Sequence, residues 1–270
     1  SVAASSASEA FVRFVAAWCK VKNELANGTV FDTSVSVHPL PHQRYALERT
    51  MISNDIRYML ADEVGLGKTI EAGLIIKELK TRGIIERVLV VCPKGLVTQW
   101  EAEMLEKFGE RFTIVSPEDY ATLKKINHDQ NVFSQFPMVI SPMDAIKPLE
   151  QRIGWSQERI DQYNDDRIKA VVASGWDLII IDEAHRVAGS TGEVARHKLG
   201  DILSKASPHL LLLTATPHSG KTEPFLRLMQ LLDCDAFPNP KAVIKEQVAP
   251  YIIRTEKREA VDNEGNPLFK

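Results

Sequence analysis

The sequence predicts an α/β domain whose mostly parallel sheet is covered by helices on both faces, with one further helix ahead of it. Three observations predict this. Six short segments, 57–61, 87–92, 112–115, 138–141, 178–182 and 209–214, are mostly continuous apolar runs without alternation, the pattern of strands buried on both sides. Helix-forming stretches at 68–79, 96–108, 117–126, 194–204 and 224–232 separate them, so crossovers for parallel pairing are available. The residues with the most chemistry stand just past the ends of these runs, where open parallel sheets bind ligands.

Composition sets outer bounds. At 270 residues, 44% hydrophobic and 26% charged, the chain has room for one large domain or two small ones and shows no extensive disorder. A net charge of −3 argues against a whole-surface nucleic-acid binder and leaves room for a local basic stripe. Cys19, Cys92 and Cys234 are odd in number and widely spaced, so no disulfide framework is expected and a reducing cytoplasm is. No apolar run approaches the roughly 20 residues that span a bilayer, and residues 1–8 lack the regions of a secretion signal.

Taken in order, 1–8 is a small-residue tail, and Ser6 with Glu9 has capping-box spacing for a helix to about residue 26. Phe11, Phe14, Val15, Trp18 and Leu25 line one face of it and are expected to pack on the main domain. Asn27 and Gly28 end that helix, and a linker or edge strand follows, so 1–36 is an appendage to a main domain at 37–258. Within that domain 149–175 is polar and helix-prone, and is expected to be a solvated excursion. Residues 259–270 are a polar, turn-rich linker.

The domain is arranged around ADEVGLGKTIEAG, residues 61–73, between the first run and a segment with Ile70, Leu74, Ile75 and Leu79 at helical spacing. A strand, a glycine loop and a helix in that order make an anion cradle. Gly65 and Gly67 let the backbone N–H groups curl inward, and the helix dipole adds to the attraction. Glu63, Val64, Gly65, Leu66, Gly67, Lys68 and Thr69 form the loop, with Lys68 placed for the β and γ phosphates and Thr69 for magnesium. The general phosphate-loop pattern has glycine where this chain has Asp62.

The run 178–185, LIIIDEAH, delivers two carboxylates from a strand end: Asp182 to hold magnesium through its water shell, Glu183 to orient or deprotonate an attacking water. In 210–217, LLLLTATP, Thr214 and Thr216 offer a hydroxyl relay between the nucleotide and a second site. Ser219–Thr222, SGKT, imitates a phosphate loop, but Pro217 removes a donor, Ala215 replaces the first glycine, and the loop has no second one.

Read in succession, HPLPHQRYAL, ADEVGLGKTIEAG, VLVVCPKGLVTQWEAEM, LIIIDEAH and LLLLTATPHSGKTEPF resemble the motifs of the first motor lobe of Swi/Snf-type helicase-like ATPases of superfamily 2, in the manner of their bacterial RapA/HepA-like members. The likeness covers about 38–257. It implies a RecA-like phosphate-loop lobe with ATP and Mg²⁺ as cofactors, duplex DNA as partner, and RNA polymerase or another DNA-bound complex as a further one. It also implies a cytoplasmic, nucleoid-associated protein if the source is bacterial. By the resemblance Gln43 contacts adenine, Lys68, Asp182 and Glu183 are catalytic, Thr69 and Asp182 hold the metal, and His185, Thr214 and Thr216 couple hydrolysis to DNA movement. Pro93, Lys94, Gln99 and Trp100 match a segment near one DNA strand, which makes Lys94 a phosphate contact and Trp100 a core residue. The family's paired-arginine motif is reduced to Arg254 in IRTEK, and no second RecA-like lobe follows in this sequence. The resemblance thus implies half of a DNA-stimulated motor, slow or inactive alone; a superfamily 2 RNA helicase or restriction-type translocase, and a nucleotide-gated partner-binding module, are the alternatives.

Overall fold

Long apolar strands that bury both faces need a layer of helices on each side, and the computed structural model of the chain has that arrangement. It describes residues 37–126, 130–188, 194–217 and 222–269. The N-terminal tail, the helix expected up to residue 26 with Cys19, most of the linker after it, and Ser219 to Lys221 of the SGKT stretch lie outside the described residues.

Among the described residues, seven strands form one sheet in the order β3-β4-β2-β5-β6-β1-β7. They are β1 (Arg57–Leu60), β2 (Val88–Cys92), β3 (Thr113–Ile114), β4 (Met138–Pro142), β5 (Leu178–Asp182), β6 (His209–Leu213) and β7 (Ile252–Ile253). Every pairing in the sheet is parallel. All six expected strands are present, some trimmed by a residue or two. β7 was not anticipated, because two residues are too short to carry a pattern.

The helices are α1 (Pro41–Thr50), α2 (Lys68–Thr81), α3 (Val97–Phe108), α4 (Pro117–Ile126), α5 (Met143–Ile146), α6 (Gln157–Val172), α7 (His185–Ala188), α8 (Val194–Lys205), α9 (Thr222–Leu232) and α10 (Lys245–Val248). Alternate strand residues feed two separate cores. Leu60, Val88, Val90, Ile180 and Leu211 pack with Leu47 of α1, Leu74 and Ile75 of α2, and Trp100 and Phe108 of α3. Met59, Leu89, Val91, Ile179 and Leu212 pack with Val171 of α6, Leu199 and Leu203 of α8, and Met229 of α9. The strands read as unbroken apolar runs because both of their faces are covered.

The register decides what happens at the carboxyl edge. Leu60 of β1 and Asp182 of β5 both pair with Leu213 of β6. The loops leaving these three adjacent strands therefore start level with one another.

The insertion at 149–175 is largely solvated, as expected, but packs along one side. Its helix α6 buries Ile160, Arg167 and Val171. The Arg167 guanidinium lies over the Tyr120 ring, 4.7 Å from its centroid, and Asn131 donates to the Ala170 carbonyl. One face is thus packed, and only the other is solvated. Cys92 is buried, which pushes its thiol up to about 12, and Cys234 is exposed; both are free. No described helix is long and apolar enough to cross a membrane.

Candidate active site

Beyond Leu60 the chain turns through Gly65 (φ 90°) and Gly67 (φ 88°) before α2 starts at Lys68. Both angles lie in the left-handed region that glycine adopts at little cost. Gly67 is constrained a second way, since a Cβ there would stand 2.8 Å from Gln43 Nε2. A Cβ on Gly65 would meet nothing within 4 Å, so the curl opens onto free space. Among the described residues, the N–H groups of Gly65, Gly67, Lys68 and Thr69 have no acceptor. They are unsatisfied donors at the positive end of a helix with no side-chain cap, a fitting cradle for phosphate.

Lys68 Nζ donates to the Asp62 carbonyl at 2.8 Å, which ties the end of the loop back to its beginning. Asp62 is fully buried, and its Oδ1 accepts the Thr255 N–H at 2.6 Å. A glycine at this position would lose that tie to the segment after β7. Glu63 is occupied in the same way: its N–H donates to the Thr255 carbonyl at 3.3 Å, and its carboxylate accepts the Lys257 N–H at 3.0 Å. These two bonds anchor the phosphate loop, of which Glu63 is part, to the segment after β7. Val64 is 70% exposed and Leu66 is buried. The Leu66 carbonyl accepts from Gln43 Nε2 at 3.1 Å and from His42 Nε2 at 2.9 Å. Gln43 also accepts the Leu40 N–H at 3.0 Å, which leaves one amide proton and one lone pair for a base edge.

Across β6, Asp182 ends β5 with 8% of its surface exposed. Its Oδ2 accepts Trp100 Nε1–H at 2.8 Å and its Oδ1 accepts the Glu183 N–H at 2.8 Å. Burial raises its pKa above the ordinary carboxylate value, against the opposing pull of these two hydrogen bonds and of Lys68. Each oxygen keeps a lone pair, so Asp182 and the Thr69 hydroxyl suit a hydrated divalent ion. Glu183 follows with φ 50°, the one non-glycine left-handed angle among the described residues. Such strain costs on the order of 1–3 kcal/mol and is characteristic of working sites.

A chain of contacts runs away from Glu183. His185 Nδ1 lies 3.2 Å from the Glu183 carboxylate and 3.3 Å from the Thr214 hydroxyl. The Thr216 N–H donates to that hydroxyl at 3.3 Å. Glu183 and His185 are partly exposed, Thr214 is fully buried and Thr216 is exposed, so the contacts link the acid to Thr216 through a buried hydroxyl. Lys94 is exposed in the turn just past β2, on the same edge of the sheet.

Trp100 is where sequence reasoning fell short. It is a core residue as expected, but it also holds Asp182 from 82 residues away, a contact with no local signature. Thr255 and Lys257 were missed for the same reason.

Residues 42–263 match the SNF2-related domain. The chain belongs to that family. Among SNF2-related proteins it is similar to the RNA polymerase-associated protein RapA of Actinobacillus pleuropneumoniae serotype 5b, at 37% identity over 209 residues, 77% of this chain and 20% of the relative. RapA of Proteus mirabilis is 34% identical over the same shares. The chain thus spans about a fifth of the length of these relatives. Its fold is also that of the SWI2/SNF2 ATPase core of Sulfolobus solfataricus in complex with dsDNA, with a TM-score of 0.66 and 18% identity over 85% of this chain and 47% of the other. The same core domain in a second structure gives a TM-score of 0.61. The SNF2-related fold and the bacterial RapA-like branch are those the motifs led one to expect.

Proposed function

We propose that this chain is the nucleotide-binding lobe of a DNA-dependent ATPase that uses ATP to move on duplex DNA when a second RecA-like lobe completes it. One observation carries the reading: the Lys68 loop and the Asp182–Glu183 pair leave the same sheet edge from the strands on either side of β6, level through Leu213. A triphosphate lying on the free N–H groups of the loop meets Lys68 as a point charge. Thr69 and Asp182 would hold Mg²⁺, which supplies charge neutralisation at the phosphates. Trp100 keeps Asp182 turned toward that position, and Glu183 prepares water for attack. Gln43 has donor and acceptor capacity left for adenine. His185 and Thr214 link the state of the acid to Thr216, and Lys94 contacts a DNA phosphate. RNA polymerase, named in the relatives, is the partner proposed for the whole protein.

Titration with ATP or ADP by calorimetry is the direct test. The parent binds and Lys68→Ala does not; equal binding by both would overturn the reading. In the family the second lobe supplies arginines that close over the γ phosphate, and without such groups phosphoryl-transfer rates fall by about 10³ to 10⁵, so hydrolysis by this lobe alone stays near background. In the longer protein, Glu183→Gln keeps ATP binding and loses the turnover that duplex DNA stimulates.

A further inference from the structure

Behind the phosphate loop, three side chains from three elements converge. His42 comes from α1, Asp62 from the loop's first residues and Glu71 from the first turn of α2, and their ligating atoms all lie within 4.8 Å of one another. Their exposures are 7%, 0% and 0%.

The hydrogen bonds determine what these groups can offer. The Leu66 carbonyl can only accept, so the 2.9 Å contact puts a proton on His42 Nε2 and leaves Nδ1 of the neutral ring with a lone pair. Asp62 spends Oδ1 on Thr255. Among the described residues, His42 Nδ1, Asp62 Oδ2 and both oxygens of Glu71 are left without a hydrogen-bond partner. The nearby ammonium of Lys68 is turned to the Asp62 carbonyl instead. Four buried acceptors therefore face one another, and burial together with the Asp62 carboxylate raises the Glu71 pKa well above the ordinary carboxylate value, so that a proton on Glu71 can be shared with Asp62. Burying two carboxylates in this way requires positive charge, and either protons or a metal ion can supply it.

One imidazole and two carboxylates are a zinc-type donor set. Zinc takes nitrogen and oxygen ligands at about 2.0–2.2 Å, which sets tetrahedral donors about 3.4 Å apart, inside the observed spread. Magnesium and calcium prefer six or more oxygens and retain water, which a buried set of three side chains with one nitrogen serves poorly. We propose that His42, Asp62 and Glu71 bind one divalent transition ion, zinc by chemistry, distinct from the magnesium of the nucleotide site. The ion locks α1, the start of the phosphate loop and α2 together. Because His42 and Gln43 both brace the Leu66 carbonyl, it also sets the curl of the loop from behind.

The test uses zinc alone, without nucleotide. The intact chain is stripped with a strong chelator, desalted and titrated with Zn²⁺, and metal content is read by plasma mass spectrometry alongside the melting temperature. The expected result is about one zinc per chain and a raised melting temperature. Both effects are lost in Glu71→Gln and in His42→Gln, while Lys68→Ala retains the metal. Stripped parent protein that takes up no zinc and melts unchanged overturns the proposal and leaves protons as the occupants. Zinc uptake by both variants equal to that of the parent also overturns it, because the ion would then sit elsewhere.

Discussion

At the scale of single residues, the site depends on atoms whose partners are far away in the chain. Trp100 donates to Asp182 at 2.8 Å, and a supporting bond of this kind typically changes metal affinity by about 10–100-fold when removed. Trp100→Phe keeps an aromatic ring and loses the donor. It should raise the Mg²⁺ concentration needed for ATP binding by about that factor, whereas a purely structural role would lower only the melting temperature. Gly67 makes a different case. At φ 88°, and with Gln43 Nε2 only 2.8 Å from a Cβ, Gly67→Ala meets backbone strain and a clash together. A loss of about 1–3 kcal/mol in urea unfolding is expected, with weakened nucleotide binding. If the variant matched the parent in both measurements, the left-handed turn would not be required.

At the scale of elements, packing overrides helix propensity where α2 crosses α3. Alanine is favoured over glycine inside a helix by about 1 kcal/mol, so Gly73→Ala would stabilise an isolated α2. In the folded chain the added Cβ would stand 2.2 Å from Phe108 Cε2. Overpacking of this sort costs about 1–3 kcal/mol and outweighs the propensity gain. Chemical denaturation should show net destabilisation, and Gly73→Ala combined with Phe108→Leu should recover part of it. Additive losses in the double variant would mean that Phe108 is not the obstacle. The same close approach brings α3, and with it Trp100, over the sheet edge where Asp182 lies.

At the scale of the whole molecule, His209 joins two parts of the sheet that are far apart in the chain. Its Nδ1 accepts the Ile56 N–H at 3.1 Å, just ahead of β1, and burial lowers its pKa below the ordinary 6.5. The folded chain therefore resists a proton that the unfolded chain takes up. Stability should rise with pH between the lowered value and about 6.5 and level off above it, with a slope of at most about 1.4 kcal/mol per pH unit from this group. Urea midpoints across pH 5–8 should lose that component in His209→Gln. An identical pH profile for parent and variant would rule out the role.

What was legible in the sequence was whatever is written locally. The apolar runs marked β1, β2, β4, β5 and β6, because strands buried on both faces are apolar at nearly every position. Loop and acids were legible too, since Gly65, Gly67, Lys68, Asp182 and Glu183 sit at fixed spacings from strand ends. Tertiary structure alone decided which distant groups meet: Trp100 with Asp182, Thr255 with Asp62, His185 with Thr214, and His42 beside Asp62 and Glu71. The physical reason is that a hydrogen bond or a shared pocket is set by strand order and register, which place residues 1–2 strands apart regardless of their separation along the chain. No window of sequence contains both halves of such a contact.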